Sequence, residues 1–525
     1  MSTGDGEFSV VVGSYTISDD IVINHNVTYD DHVSITGTLT VNASKTFGEG
    51  AASKNLTVSG AVQVNGTLDL DRSSSDGNAS FGSLTIANTG TVEAPSHGTI
   101  TILGSSGGFA LLDEGTFTHN GGTVKIDFET SNLNSSTRIH QNGAKKLNNV
   151  EIEMNRTTDE VLWSVASGTS QGIAGNLTLT KGESYLYSLA HDFDVDGNFL
   201  VDANGTWGSL GHTGSHDAGS LTINSGGEYM ATSGTTTITS EASSGYAWNR
   251  IDGGTFTDND GTVTIGDGST AIGGTHIRET RFHHLIINRD ASSTNTLWRD
   301  VSGNTLTIDG DFTITKGTFF RNTAADTLTV TGDVSVGATG KLGDGSESGT
   351  NNFGSLTIAS GGTFIATSGT TTITAENLDA GVGSGAGFAW DNLGTFTHNN
   401  GKVVIDTAGN NHTLVKETTF YDLEVNQTSS TYEAKFRPKT GTHSEILNNF
   451  TLTSGIYEMH ADGDTLDIYG LTTIEADGQF LKDAEHTGLV THHGLVTNRG
   501  NYKIKDGVTV KLNGGIRNLG TITVA

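Results

Sequence analysis

The chain has 525 residues, with 72 glycines, 2 prolines, no cysteine, and 28 basic against 58 acidic side chains for a formal charge of −30 at pH 7. The missing thiols exclude disulfides and thiolate metal sites, and the acidic balance argues against nucleic acid and anionic membranes as partners. Short alternating runs of Thr, Ser, Val and Ile cut by Gly, Asn and Asp are β-strand text, and no ten-residue window carries apolar positions at helical spacing, so the chain reads as all-β.

Residues 1–54 open with "MSTGDGEFSVVVGSYTI", which lacks the basic-then-apolar pattern of a secretory leader, and nothing approaches an apolar span of membrane length. This segment, like that from about Leu471 to Ala525, is less repetitive and is expected to cap the fold or to carry assembly contacts. From Asn55 the text repeats. "FGSLTI", "AGSLTI" and "FGSLTI" place Gly82, Gly219 and Gly354 at intervals of 137 and 135, and "GTFT" places Phe117, Phe256 and Phe396 at intervals of 139 and 140. Leu147, Phe282 and Phe420 form a third set, Trp163, Trp298 and Phe436 a fourth, and Gly182, Gly317 and Gly455 a fifth, each spaced 135 and 138. Constant order gives a tandem superrepeat of roughly 137 residues, near 82–218, 219–353 and 354–470, inside a repetitive body of 55–470. Residues 471–525 form the C-terminal end or cap.

Within each copy, strands of four to six residues are separated by turn residues, as in "GTFTHNNGKVVID", where "TFT" and "KVVI" flank an Asn-Gly corner. A propeller would return its signature every 40 to 45 residues, so the fold expected is a parallel β-helix, a β-solenoid of about three superrepeats. A turn of about 20 residues would make the superrepeat about seven turns long.

Reactive patterns are scarce. Asp-Gly pairs at Asp194–Asn198, Ile308–Phe312 and Ala461–Thr465 read as tight corners, with adventitious calcium the alternative and no cofactor expected. The neighbours His283/His284 and His492/His493 should point to opposite faces of a strand, which rules out shared chelation. Trp248 and Trp390 occupy corresponding positions, with Leu111 or Leu112 in the first copy, and read as internal stacks rather than sugar platforms. No "GxSxG" stands in a strand-turn-helix setting, and "GVGSGAG" from Gly381 opens no helix. Sequons such as those at Asn26, Asn55, Asn65, Asn155, Asn176 and Asn426 follow from an Asn- and Thr-rich text. No catalytic or metal residue is singled out, and the chain is not expected to be an enzyme.

The phrases "GTFTHNNGKVVIDTAGNNHTLVKETTFYDLEVNQ" and "GDFTITKGTF" resemble the repeat style of tailed-phage virion proteins and of giant bacterial surface proteins. The resemblance runs from Asn55 to about Gly455. It implies a non-enzymatic elongated component of a tail fibre, spike or appendage, located in the virion and synthesised in a host cytoplasm. Its partners would be further copies, as a trimer or filament, other virion proteins, or a host-surface glycan, without nucleic acid or membrane insertion. The alternatives are a bacterial adhesin or extracellular filament, and then a polysaccharide-degrading tailspike.

Overall fold

The structure, a computed structural model, describes residues 14–72, 75–104, 108–128, 136–142, 146–165, 171–268, 274–289, 295–299, 304–377, 387–408, 412–482 and 486–524. The "GVGSGAG" stretch lies outside the described residues up to its last glycine, Gly387. Among the described residues every regular element is a strand and no helix occurs. The fold is a parallel β-solenoid, and the chain falls into two compact units, Met1–Thr262 and Val263–Ala525.

In the first unit three columns of strands stack turn upon turn. The first passes through Leu56, Ala79 and Ile100, and then from Val150 through Leu177, Phe199 and Leu221 to Trp248. The second runs from Leu39 through Val62, Leu84, Leu111 and Ile139 to Trp163. The third joins Val27, Phe47, Leu68, Val92 and Phe117, and further along Leu147, Ile173, Val195, Ala218 and Ile238. Alternation explains the wall. In Thr123–Phe128 the Val, Ile and Phe side chains are buried and the Thr, Lys and Asp between them are not, so each short strand delivers its apolar set to the interior and its polar set outward.

The second unit repeats the plan. One column runs Leu285, Phe312, Val334, Leu356, Trp390, Val415, Phe436, Met459. A second holds Phe282, Ile308, Val330, Phe353, Ile373, Ile405, Val425, Leu452 and Ile474. The third includes Phe319, Leu342, Phe364 and Phe396, and beyond them Phe420, Ile446 and Ile468.

Many turns are longer than the sequence suggested. Leu177 pairs with Phe199, Val150 with Leu177 and Leu356 with Trp390, so that these turns span intervals of 22, 27 and 34 in the numbering, because the corners between the three strands hold different lengths of chain from turn to turn. The superrepeat therefore covers five and two-thirds turns, where about seven were expected. Leu84 lies in the second column of its unit and its counterpart Leu221 in the first. Phe117 lies in the third column and Phe256 in the sequel of the second, paired with Tyr229. Phe282 and Phe420 differ by the same step in the second unit. Each copy thus begins one face back from its predecessor.

Candidate functional site

The repeated landmarks build the wall and its interior. Trp163, Trp298 and Phe282 are fully buried, Phe117, Phe420 and Phe436 nearly so, and Phe256 and Phe396 are half-buried. Phe396 is held between Phe364 and Phe420, at ring separations of 5.8 and 6.1 Å. Two buried indoles find polar partners: Trp163 Nε1 donates to Ser184 Oγ at 2.8 Å and Trp298 Nε1 to the Glu279 carbonyl at 2.6 Å. Trp248 and Trp390 lie inside, as the sequence suggested. Leu111 is the residue that takes their place, since it pairs with Leu84 as Trp248 does with Leu221.

Gly82, Gly219 and Gly354 sit at the corner where one strand bends onto the next face. A Cβ at Gly82 would come 2.5 Å from the Ser59 carbonyl, one at Gly219 2.5 Å from that of Gly197, and one at Gly354 would strike that of Gly332. Only a residue without Cβ lets successive corners stack so closely. Beside the glycines the Asn and Asp residues form a second file. Asn55 Oδ1 accepts the Asn78 N–H at 2.9 Å, Asn176 Oδ1 that of Asn198 at 2.8 Å, and Asp311 Oδ1 that of Asp333 at 2.8 Å. Two of the sequon asparagines are therefore corner braces.

The Asp-Gly stretches carry ion pairs: Lys146 binds both Asp194 and Asp196, and Arg281 Nε meets Asp309 at 2.6 Å. His492 is fully buried and His493 faces outward to Asp467 at 3.0 Å, opposite sides as expected. His283 and His284 depart from that expectation, with rings 4.5 Å apart, because His283 lies in the bend between two strands. Among the described residues no group of three or more His, Cys, Asp or Glu is arranged to hold a metal ion.

Two surface clusters stand out. On the first unit Glu160 and Glu183 are register neighbours on adjacent turns. Burial first, then the charges of Glu160 and Glu228, raises the Glu183 carboxyl above its ordinary range. Four residues after Glu183, Tyr187 is exposed and carries the Arg138 guanidinium 5.0 Å from its ring centre. On the second unit Glu433 and Glu458 point outward by alternation yet are almost fully buried. His412 Nδ1 lies 2.8 Å and Lys435 Nζ 3.2 Å from Glu433, Lys482 bonds it too, and Lys505 Nζ lies 2.9 Å from Glu458. Burial pushes Glu433 up, but the Lys482 and Lys435 ammonium groups outweigh it and leave the carboxyl below its usual range. For Glu458 burial wins over Lys505 and the carboxyl is raised. The sequence carried no signal for this group, since Glu433 and Lys482, like Glu458 and Lys505, stand far apart in the chain and meet only through turn length.

No protein-family model matches the chain, and no curated protein matches it in sequence.

Proposed function

We propose that the chain is a non-enzymatic, elongated structural protein, a virion fibre, spike or appendage component whose stacked turns space and present surface contacts. The observation that carries this reading is the fate of the aromatic residues. All 5 tryptophans, Trp163, Trp207, Trp248, Trp298 and Trp390, are buried in the coil, so the largest rings are spent on packing the stacked turns. Support for a spacer also comes from the repeat itself, since copying a superrepeat lengthens a solenoid without a new core design.

The exposed Tyr187 with the half-buried Arg138, Glu160 and Glu183 has the composition to contact a surface glycan, with an aromatic face for a sugar ring and carboxylates for its hydroxyls. Immunogold labelling with antibody to this chain tests the assignment. Label on purified virus particles is the expected result, and label confined to a bacterial envelope would replace the virion reading with the adhesin. Release of reducing ends from a host polysaccharide would overturn the non-enzymatic reading.

A further inference from the structure

The two ends of the described coil differ in charge and are alike in turn length. Residues 1–44 contain six acidic side chains, Asp5, Glu7, Asp19, Asp20, Asp30 and Asp31, and no lysine or arginine. Residues 486–524 contain five bases, Arg499, Lys503, Lys505, Lys511 and Arg517, against the single acid Asp506. Arg499 and Lys505 are taken up by Glu475 and Glu458 of earlier turns, and Lys511 and Arg517 are the exposed bases of the last turn in a chain of net charge −30.

The geometry is complementary as well. At the C-terminal end Gly488 pairs with Val508, Val496 with Ile516 and Asn501 with Thr521, an interval of 20 in each case. At the N-terminal end Tyr15 pairs with Val33 and Ile21 with Leu39, both at an interval of 18, and Val27 pairs with Phe47 at 20. Turns further inside range from 20 to 34. The two end turns thus lie together at the short end of that range, so the chain length per turn is matched between them.

Among the described residues the strands Val508–Leu512, Ile516–Asn518 and Thr521–Val524 pair on one side only, as do Ile21–Ile23 and Val27–Tyr29. The last turn leaves Leu519, Ile522 and Val524 exposed, Val524 at 74%, and the first leaves Tyr15 exposed. Open parallel edges recruit another strand layer.

We propose that the basic C-terminal turn docks on the acidic N-terminal turn of a second copy of this chain, head to tail. Three strands of one copy then continue the three columns of the next with the same parallel direction. Lys511 and Arg517, both exposed, face the aspartates of the partner's first turn, and the apolar side chains of the two end turns cover each other. A heterologous contact of this kind does not close and generates a filament. The inference deepens the structural reading above by naming its partner, and the two fail separately, because single-chain particles would remove the end contact and leave the assignment as a structural protein untouched.

The test is sedimentation velocity with negative-stain electron microscopy of the untagged full chain, in about 50 mM and about 500 mM NaCl, where screening of exposed charges differs several-fold. Expected are particles whose length grows in steps of one chain at low salt, with at least a twofold fall in mean mass at high salt. Lys511→Glu with Arg517→Glu should leave single chains. So should Asp19→Lys with Asp20→Lys, and a mixture of the two double variants should restore pairs. Ile522→Lys, at a position already exposed, should also block growth, and an unchanged circular dichroism spectrum shows that each variant is folded. Single chains of the parent protein at every salt and concentration, side-by-side bundles, or assembly indifferent to these substitutions would each overturn the proposal.

Discussion

The interior around Trp207 in the first unit and the outer wall around Glu458 in the second are held by opposite chemistry. Trp207 packs on Phe193, Phe199 and His216, at 4.7, 4.9 and 6.0 Å between ring centres, and Tyr229 adds to the cluster through Phe199 at 5.8 Å. Glu458 and Glu433 are buried on the outward side among Lys435, Lys482, Lys505 and His412. The superrepeat aligns Tyr185 with Glu458, three residues after Gly182 and Gly455, so one position of the repeat serves a half-exposed tyrosine in one unit and a buried ion pair in the other. The repeat specifies the wall and leaves its outer face free to vary. Dispersion and water exclusion hold the first cluster, which tolerates no loss of volume, whereas the second tolerates no loss of one partner.

The largest effects come from breaking each side of that contrast. Trp207→Ala should cost on the order of 3–5 kcal/mol through the cavity it opens, read as a lower urea midpoint. Lys505→Met should cost about 3–5 kcal/mol by stranding Glu458 in a buried site, and adding Glu458→Gln should recover most of the loss. Failure of the second substitution to recover stability would show that the lysine acts by packing alone.

A smaller effect separates corner from surface. Gly197→Ala would place a Cβ 2.5 Å from the Gly175 carbonyl and 2.6 Å from Asn176 Oδ1, which should cost about 1–3 kcal/mol as overpacking. Gly211, with φ of +81° and nothing near its Cβ, should lose only about 1 kcal/mol on substitution by Ala, from backbone strain. Equal losses at the two sites would contradict the stacked-corner account.

The smallest effect is one of pH. Burial lowers His216 to about 3 and His492 to about 4 from an ordinary 6.5. Both are neutral above pH 6.5 in folded and unfolded chains alike, so stability is full there. Below it the unfolded chain binds protons first, and stability falls as pH drops toward 3 for His216 and toward 4 for His492. Urea midpoints measured between pH 7 and pH 4 should fall, and His216→Phe should flatten the slope if its ring can replace the imidazole against Tyr229.

Much of this was legible in the sequence. Alternation in "SLTI" and "KVVI" gave the strand faces, and the periodic Phe and Trp landmarks gave interior positions, because both depend on local pattern. Turn length was not legible. The corners around Leu356–Trp390 hold different amounts of chain from those around Leu177–Phe199, and nothing local announces how much. Everything that depends on which residues become vertical neighbours was therefore hidden, including the Glu433–Lys482 and Glu458–Lys505 pairs and the backward step of one face per superrepeat. The His283/His284 pair shows the same limit on a smaller scale, since an unmarked bend put both rings on one side.

The central claim is the vertical register, and the absence of native cysteine makes it directly testable. Ser335 and Thr357 are register partners whose side chains point away from the interior, and neighbouring parallel strands bring Cα atoms within disulfide range. The variant carrying Ser335→Cys and Thr357→Cys should oxidise to an intramolecular disulfide in high yield, with no free thiol left. A control with Thr313→Cys and Thr357→Cys, two turns apart, should stay reduced. Cross-linking of the control, or none in the first variant, would contradict the stacking on which the account rests.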